Sequence, residues 1–274
     1  MYIELDDFRQ SYVVAKNEIL KFVRGKKFTL YIVLVTIVYA LITFLPYVVG
    51  GNLGETPGMV IANYVSFIDL LIILAATLFA SIAIVSEFEE RTALILFTRP
   101  IKKTSIFVGK VLGCIVLETV MIVLFYLGMA VASLLVAGSV SADLFVSLGI
   151  SFLFIVAASS IAIFISSVMK KGSTCAILTF VFLLLILPII SSVIEGSTSV
   201  DPWFMLNKMS SSIGTCIPEY VDMINEMLQH MGETTGLDFG VITAADIPKT
   251  VATMAGWSIV SLVLAWIAFI RREF

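Results

Sequence analysis

The chain has 274 residues, of which 59% are hydrophobic and only 14% charged, with a mean hydropathy of +1.07 and a formal net charge of −3. Soluble globular domains carry about 25% charged residues, and a core of this size cannot hide so much apolar surface, so lipid must solvate much of the chain. The negative balance excludes a polyanion-binding protein by overall charge, whatever the placement of individual charges.

Within residues 1–27, Leu5, Phe8, Tyr12, Ala15, Ile19, Phe22 and Val23 recur at helical spacing, while Arg9, Lys16, Asn17, Lys21 and Arg24 fall elsewhere around the helix. This predicts an amphipathic helix lying in the membrane interface, the alternative being a solvated basic flank that is only partly helical. The first apolar run, 28–49, is long enough to cross a bilayer core about 30 Å thick, which takes roughly 20 helical residues. It begins only after Asp6, Asp7 and Glu18, which reads as a retained helix and not a cleavable signal. Further runs at 63–86, 107–137, 144–169, 172–194 and 250–270 bring the predicted spans to six. They are continuously apolar instead of alternating, so helices are expected and not barrel strands.

All six runs are uncharged except the second, with Asp69, and the third, with Lys110 near its start and Glu118 at its middle. A charge at the centre of a span costs several kcal/mol, at least about 2.5 on insertion scales, so Glu118 is expected to be neutral, paired or facing a wet cavity. It is either a pathway or proton-linked group or a structural carboxyl between helices. Asp69, nearer the other end of its span, suits a structural or cavity-lining role. Between the second and third runs, 87–106 reads EFEERTALILFTRPIKKTSI. That is too apolar for an ordinary solvated loop. A short helix from 88 to 97, ended before Pro100, would present Leu94 and Phe97 to a partner or to the membrane underside, unless the leucines fold back on the bundle.

In the fourth run Ala157, Ala158, Ser159, Ser160, Ser166 and Ser167 permit close helix packing or line a path. Pro188 is expected to end or kink the fifth. Residues 195–249 then hold eight acids against Lys208 and Lys249. In that segment Pro218 followed by Tyr220, Ile224, Met227, Leu228 and Met231 predicts an amphipathic helix with Glu219 and Asp222 in its first turn. Such a cap is either a lid or a packed plug. His230, the only histidine, sits in this acidic region as a solvated residue, with no metal site expected. Of three cysteines only Cys216 lies outside the runs, so no disulfide pair is expected there.

Counting Lys110 at the start of the third run, fifteen of the 17 basic residues fall before the first run, between the second and third, between the fourth and fifth, or after the sixth. By the positive-inside rule both termini are cytosolic. The expected fold is therefore an all-α integral membrane protein with six transmembrane helices, an N-terminal interfacial helix and an extracytoplasmic helical cap before the last span. It forms a single membrane domain, 1–274, made of the interfacial helix (1–27), spans one to five (28–194), the cap (195–249) and span six with its tail (250–274).

Residues 87–110 also carry a motif: Glu87 and Glu89 separated by one residue, Thr92, Leu96, Pro100, Lys103, then Gly109 and Lys110 opening the third span. In this the chain resembles type-2 ATP-binding-cassette (ABC) transporter permeases, with Arg91 where that family usually has glycine. The resemblance extends to the whole layout of interfacial helix, six spans and enlarged outer region. It implies an exporter subunit of the cytoplasmic membrane, non-enzymatic itself, that works with a second permease copy, identical or related, and with cytosolic ABC ATPase subunits. Those partners would hold ATP and Mg; this chain would bind no cofactor and no nucleic acid, and its interfacial helix would contact membrane lipid. The coupling segment would comprise Glu87, Glu89, Glu90, Arg91, Thr92, Leu94, Leu96, Phe97, Pro100 and Lys103. The chain cannot supply the ATPase, since neither Gly25-Lys26 nor Gly109-Lys110 has the first glycine or the final hydroxyl of a phosphate-binding loop. A second function class is an ion-gradient-driven transporter or channel using Glu118 and Asp69, although no inverted repeat stands out. An intramembrane enzyme is disfavoured, because no histidine lies in a span.

Overall fold

The computed structural model describes residues 5–89, 102–198, 201–236 and 240–271. Among these, six helices are long and apolar enough to cross a membrane: Lys26–Val48, Pro57–Glu89, Lys103–Ala137, Asp143–Val168, Gly172–Ser197 and Ile247–Arg271. Five match the predicted spans closely; the second begins at Pro57 instead of 63 because Thr56 starts a helix there. Its hydroxyl accepts from Met59 N at 3.3 Å, and Pro57 occupies the first helical position.

Helix α1 (Leu5–Val23) precedes α2 (Lys26–Val48). The second span is interrupted: α3 (Pro57–Val65), α4 (Ile68–Leu78), a 3-10 turn (Ala80–Ile82) and α5 (Val85–Glu89). Then come α6 (Lys103–Ala137), closed by Gly138 at φ +72°, and α7 (Asp143–Val168). The fifth span is α8 (Gly172–Val181), a π-helical turn (Phe182–Ile186) and α9 (Leu187–Thr198). Pro188 therefore neither ends nor breaks this span. The wider turn just before it absorbs the missing hydrogen bond and the helix continues. Short helices α10 (Leu206–Ser210) and α11 (Ser212–Thr215) lead to α12 (Pro218–Thr235), and α13 (Ile247–Arg271) is the last span.

Helix α7 is the hub. It packs against α13, α6, α4, α8 and the 3-10 turn, and its small residues Ala157, Ala158, Ser159, Ser160, Ser166 and Ser167 are all buried. Close packing is what these residues do here. By contrast α2 buries only Tyr31 and Ile42, and Leu30, Val33, Ile37, Leu41 and Phe44 remain exposed. Apolar exposure of this extent suits hydrocarbon as the surrounding medium.

The two ends of the bundle differ. At one end Lys102 Nζ pairs with Asp7 Oδ2 at 2.7 Å, and Phe107 packs on Trp266 and Phe269, which brings α1, the start of α6 and the end of α13 together. At the other end Ser147 Oγ donates to Ile213 O, Ser212 and Thr250 hydroxyls meet at 2.8 Å, and Thr253 Oγ1 donates to Trp203 O. The helices α10–α12 are thereby seated over the start of α7 and α13. Helix α12 forms where the amphipathic spacing predicts it, with none of its residues fully buried.

Helix α1 also forms as predicted, and its apolar stripe is divided between the protein interior and the outer surface. Phe8 and Tyr12 are 67% and 68% exposed, whereas Ala15, Glu18 and Phe22 are buried. The cause is the neighbour: α6 offers α1 a glycine-lined surface with a lysine in it, which favours small residues and an acid over bulky aromatics. Cys114, Cys175 and Cys216 form no disulfide.

Candidate functional site

The densest polar cluster lies where α1, α5, α6 and α8 converge. On α6, Gly109 and Gly113 stand one turn apart against α1: a Cβ at Gly109 would lie 2.7 Å from Ser11 O, and one at Gly113 would lie 3.1 Å from Ala15 O. This close approach is what small residues four apart permit. It carries Lys110, only 3% exposed, into the junction. Its Nζ donates to Glu18 Oε2 at 3.0 Å, Glu87 Oε1 at 2.9 Å and Ala83 O at 2.8 Å, which uses all three ammonium hydrogens. Lys21 Nζ adds a contact to Glu87 Oε1 at 3.4 Å and donates to Ser86 Oγ at 3.0 Å.

Two further contacts tie α5 to the bundle. Ser166 Oγ accepts from Ile84 N and Val85 N at 3.1 and 3.0 Å, which satisfies backbone donors at the start of α5. Glu89 Oε2 accepts from Gly172 N at 2.8 Å, where a carboxylate meets the positive end of α8. Helix α5 is thus fastened to α1, α6, α7 and α8 at once.

Of the residues singled out in the sequence, Glu87, Glu89, Gly109 and Lys110 are brought together here. Lys103 is the exposed first residue of α6. Glu90, Arg91, Thr92, Leu94, Leu96, Phe97 and Pro100 lie outside the described residues, as does most of the expected 88–97 helix. The sequence reading missed Glu18, which it met only as an acid of the N-terminal flank. Its signal was available: Glu18 stands three residues after Ala15 and four before Phe22, inside the apolar stripe of α1. The Gly109-x-x-x-Gly113 spacing was a second such signal.

Glu118 is fully buried, with Ser159 Oγ donating to its Oε2, while its Oε1 makes no hydrogen bond among the described residues. It joins α6 to α7 beside the 3-10 turn of the second span. Asp69 lines a small cavity with Asn207 and Ser210 of α10. Near α12, burial pushes the Cys216 thiol up to about 11 and raises Tyr220 as well.

Six apolar helices around a packed polar junction define a multi-pass, all-helical membrane protein. The family model described as ABC-2 family transporter protein matches residues 12–274. The chain belongs to that family and is an ABC transporter permease. No curated protein matches it.

Proposed function

We propose that this chain is the membrane subunit of an ABC exporter, which moves substrate across the cytoplasmic membrane using ATP hydrolysed, with Mg, on separate nucleotide-binding subunits. The observation that carries this reading is the junction at α5. A segment that enters from a four-way fastening is suited to transmit a push, because displacing its root displaces α1, α6 and α8 together. In this reading residues 87–103 form the coupling element, with Leu94 and Phe97 docking on the ATPase while Glu87 and Glu89 act as struts within the permease.

The charge pattern supports the same orientation. The end that holds α1 and the start of α6 carries most of the basic residues and faces the cytosol, and α10–α12 form the extracytoplasmic cap of the single 1–274 domain. An apolar groove of about 920 Å3 between α1 and α6, lined by Phe8, Tyr12, Leu20, Val108, Leu112 and Val116, suits acyl chains around an interfacial helix. A second permease copy, identical or related, completes the pathway. Glu118 serves in this reading as a structural carboxyl held by Ser159.

The test is to purify the tagged chain from its native membrane in mild detergent and identify its companions by mass spectrometry. A stoichiometric nucleotide-binding subunit, released by Leu94→Ser with Phe97→Ser, is the expected result. A clean homo-oligomer with no such subunit would overturn the proposal in favour of gradient-driven transport.

A further inference from the structure

The second span is broken near its α5 end although its own sequence holds no helix breaker. Residues 59–89 contain neither proline nor glycine, yet α4 stops at Leu78, a 3-10 turn covers Ala80–Ile82, and α5 starts only at Val85. A break without proline or glycine calls for side chains inserted into the backbone ladder. Four are found here. Ser81 Oγ donates to Thr77 O at 2.5 Å, Cys175 Sγ of α8 donates to Ser81 O at 2.8 Å, and Lys110 Nζ of α6 donates to Ala83 O at 2.8 Å. Ser166 Oγ of α7 accepts from Ile84 N and Val85 N at 3.1 and 3.0 Å.

The backbone groups engaged in this way are one another's helical partners. In an uninterrupted α-helix Ser81 N donates to Thr77 O, Val85 N to Ser81 O and Glu87 N to Ala83 O. Here side chains occupy those places, and Ala83 N and Glu87 N donate instead to Ala80 O and Ile84 O, three residues back. If α7 and α8 draw back, Val85 N and Ser81 O can pair directly, so both arrangements satisfy the same backbone groups. Alanine, serine, isoleucine and valine are ordinary helix residues, and local propensity does not forbid the continuous form. Converting three residues from 3-10 to α geometry turns the following helix by about 60° and shortens the span by about 1.5 Å. That rotation would carry Glu87 away from Lys110 and Glu89 away from Gly172 N, the contacts that fasten α5.

We propose that residues 79–85 are a two-state element of the second span. The broken form is latched by Ser166, Cys175 and Lys110; in the other form the helix is continuous and α5 is rotated and released from its fastening. Only the identity of what drives the exchange in the cell rests on the exporter reading. The exchange itself belongs to the permease alone and is measured without an ATPase, so its failure leaves that reading to the mass-spectrometry test.

Nitroxide labels are placed on Phe88→Cys in α5 and Ile270→Cys at the end of α13, in a background of Cys114→Ala, Cys216→Ser and Cys175→Ser, the last keeping a donor for Ser81 O. The full chain in lipid nanodiscs is then read by double electron–electron resonance. One main distance is expected. Ser166→Ala should raise the share of a second, displaced by about 5 Å, which is the swing of a side chain on a helix turned by 60°. The ratio of the two should rise about tenfold. Alanine in place of the serine at 175 releases the other latch and should raise the same second distance, which keeps the test open if Ser166→Ala does not fold. Val85→Pro added to either variant should remove the second distance, because proline has no N–H for Ser81 O yet suits the first position of α5. A distance unchanged by both latch variants would overturn the proposal and make the break a fixed feature. A second distance that persists with Val85→Pro would overturn it too, since the motion would not be closure of the helix.

Discussion

Replacing Lys110 with methionine removes a buried cation but keeps the length of its stem, so packing against α1 changes little. What changes is the electrostatics. Glu18, whose side chain is 6% exposed, loses its ion pair, and Glu87 loses its 2.9 Å contact while keeping the longer one to Lys21. Stranding a buried charge by removing its partner costs about 3–5 kcal/mol. Lys21→Met makes the internal comparison: it touches the same Glu87, but Lys21 is 38% exposed, and exposed pairs contribute about 0–1 kcal/mol. The double variant Glu18→Leu with Lys110→Met removes both charges and should recover part of the loss, because Glu18 is then no longer a stranded carboxylate. Reversible unfolding by sodium dodecyl sulphate in mixed micelles reads all four proteins. If Lys110→Met were no more destabilising than Lys21→Met, or if the double variant showed no recovery, the Glu18–Lys110–Glu87 junction would not be the fastening described here.

Leu94→Ser with Phe97→Ser should uncouple or release the nucleotide-binding subunit while the spans stay folded; fully coupled ATPase activity in that variant would remove the docking assignment. Glu118→Gln should leave assembly intact with a loss below about 1 kcal/mol, because an amide oxygen still accepts from Ser159 Oγ. Transport that fails or changes its pH dependence while assembly is intact would make the carboxylate a working group. A cysteine at His230, whose side chain is 86% exposed, should react quickly with a membrane-impermeant maleimide added outside cells, and labelling only from the cytosolic side would reverse the cap's orientation. Native Cys216 should label slowly at pH 7.4 and about 100-fold faster at pH 9.4, since its thiol is raised to about 11 and the thiolate is the nucleophile. A rate that does not change with pH would show that access limits labelling and not ionisation.

The spans, the interfacial helix and α12 were all legible along the chain, because each is a local matter of apolar length or of helical periodicity. The family motif was legible for the same reason: its residues stand at fixed intervals from Glu87 to Lys110. Even the Glu118–Ser159 pairing was half visible, as a carboxyl in one span and a row of hydroxyls in the next. Other features were not local. The stripe through Ala15 and Phe22 puts Glu18 on a buried line, but what it would meet there was set by Gly109 and Gly113, some ninety residues away.

What the sequence by itself determined is therefore the solvent and the count: six apolar helices with most of the basic residues gathered at one end. These follow from free energies that each segment meets alone, the cost of placing charge or unbonded backbone in hydrocarbon. Only the tertiary structure decided that Glu87 and Glu89 bond back to α6 and α8, that the π-helical turn carries the fifth span past Pro188, and that Asp69 and Asn207 line the same cavity. Those outcomes depend on which partner lies within about 3 Å, and a buried polar group must be satisfied by whatever element the fold brings to it.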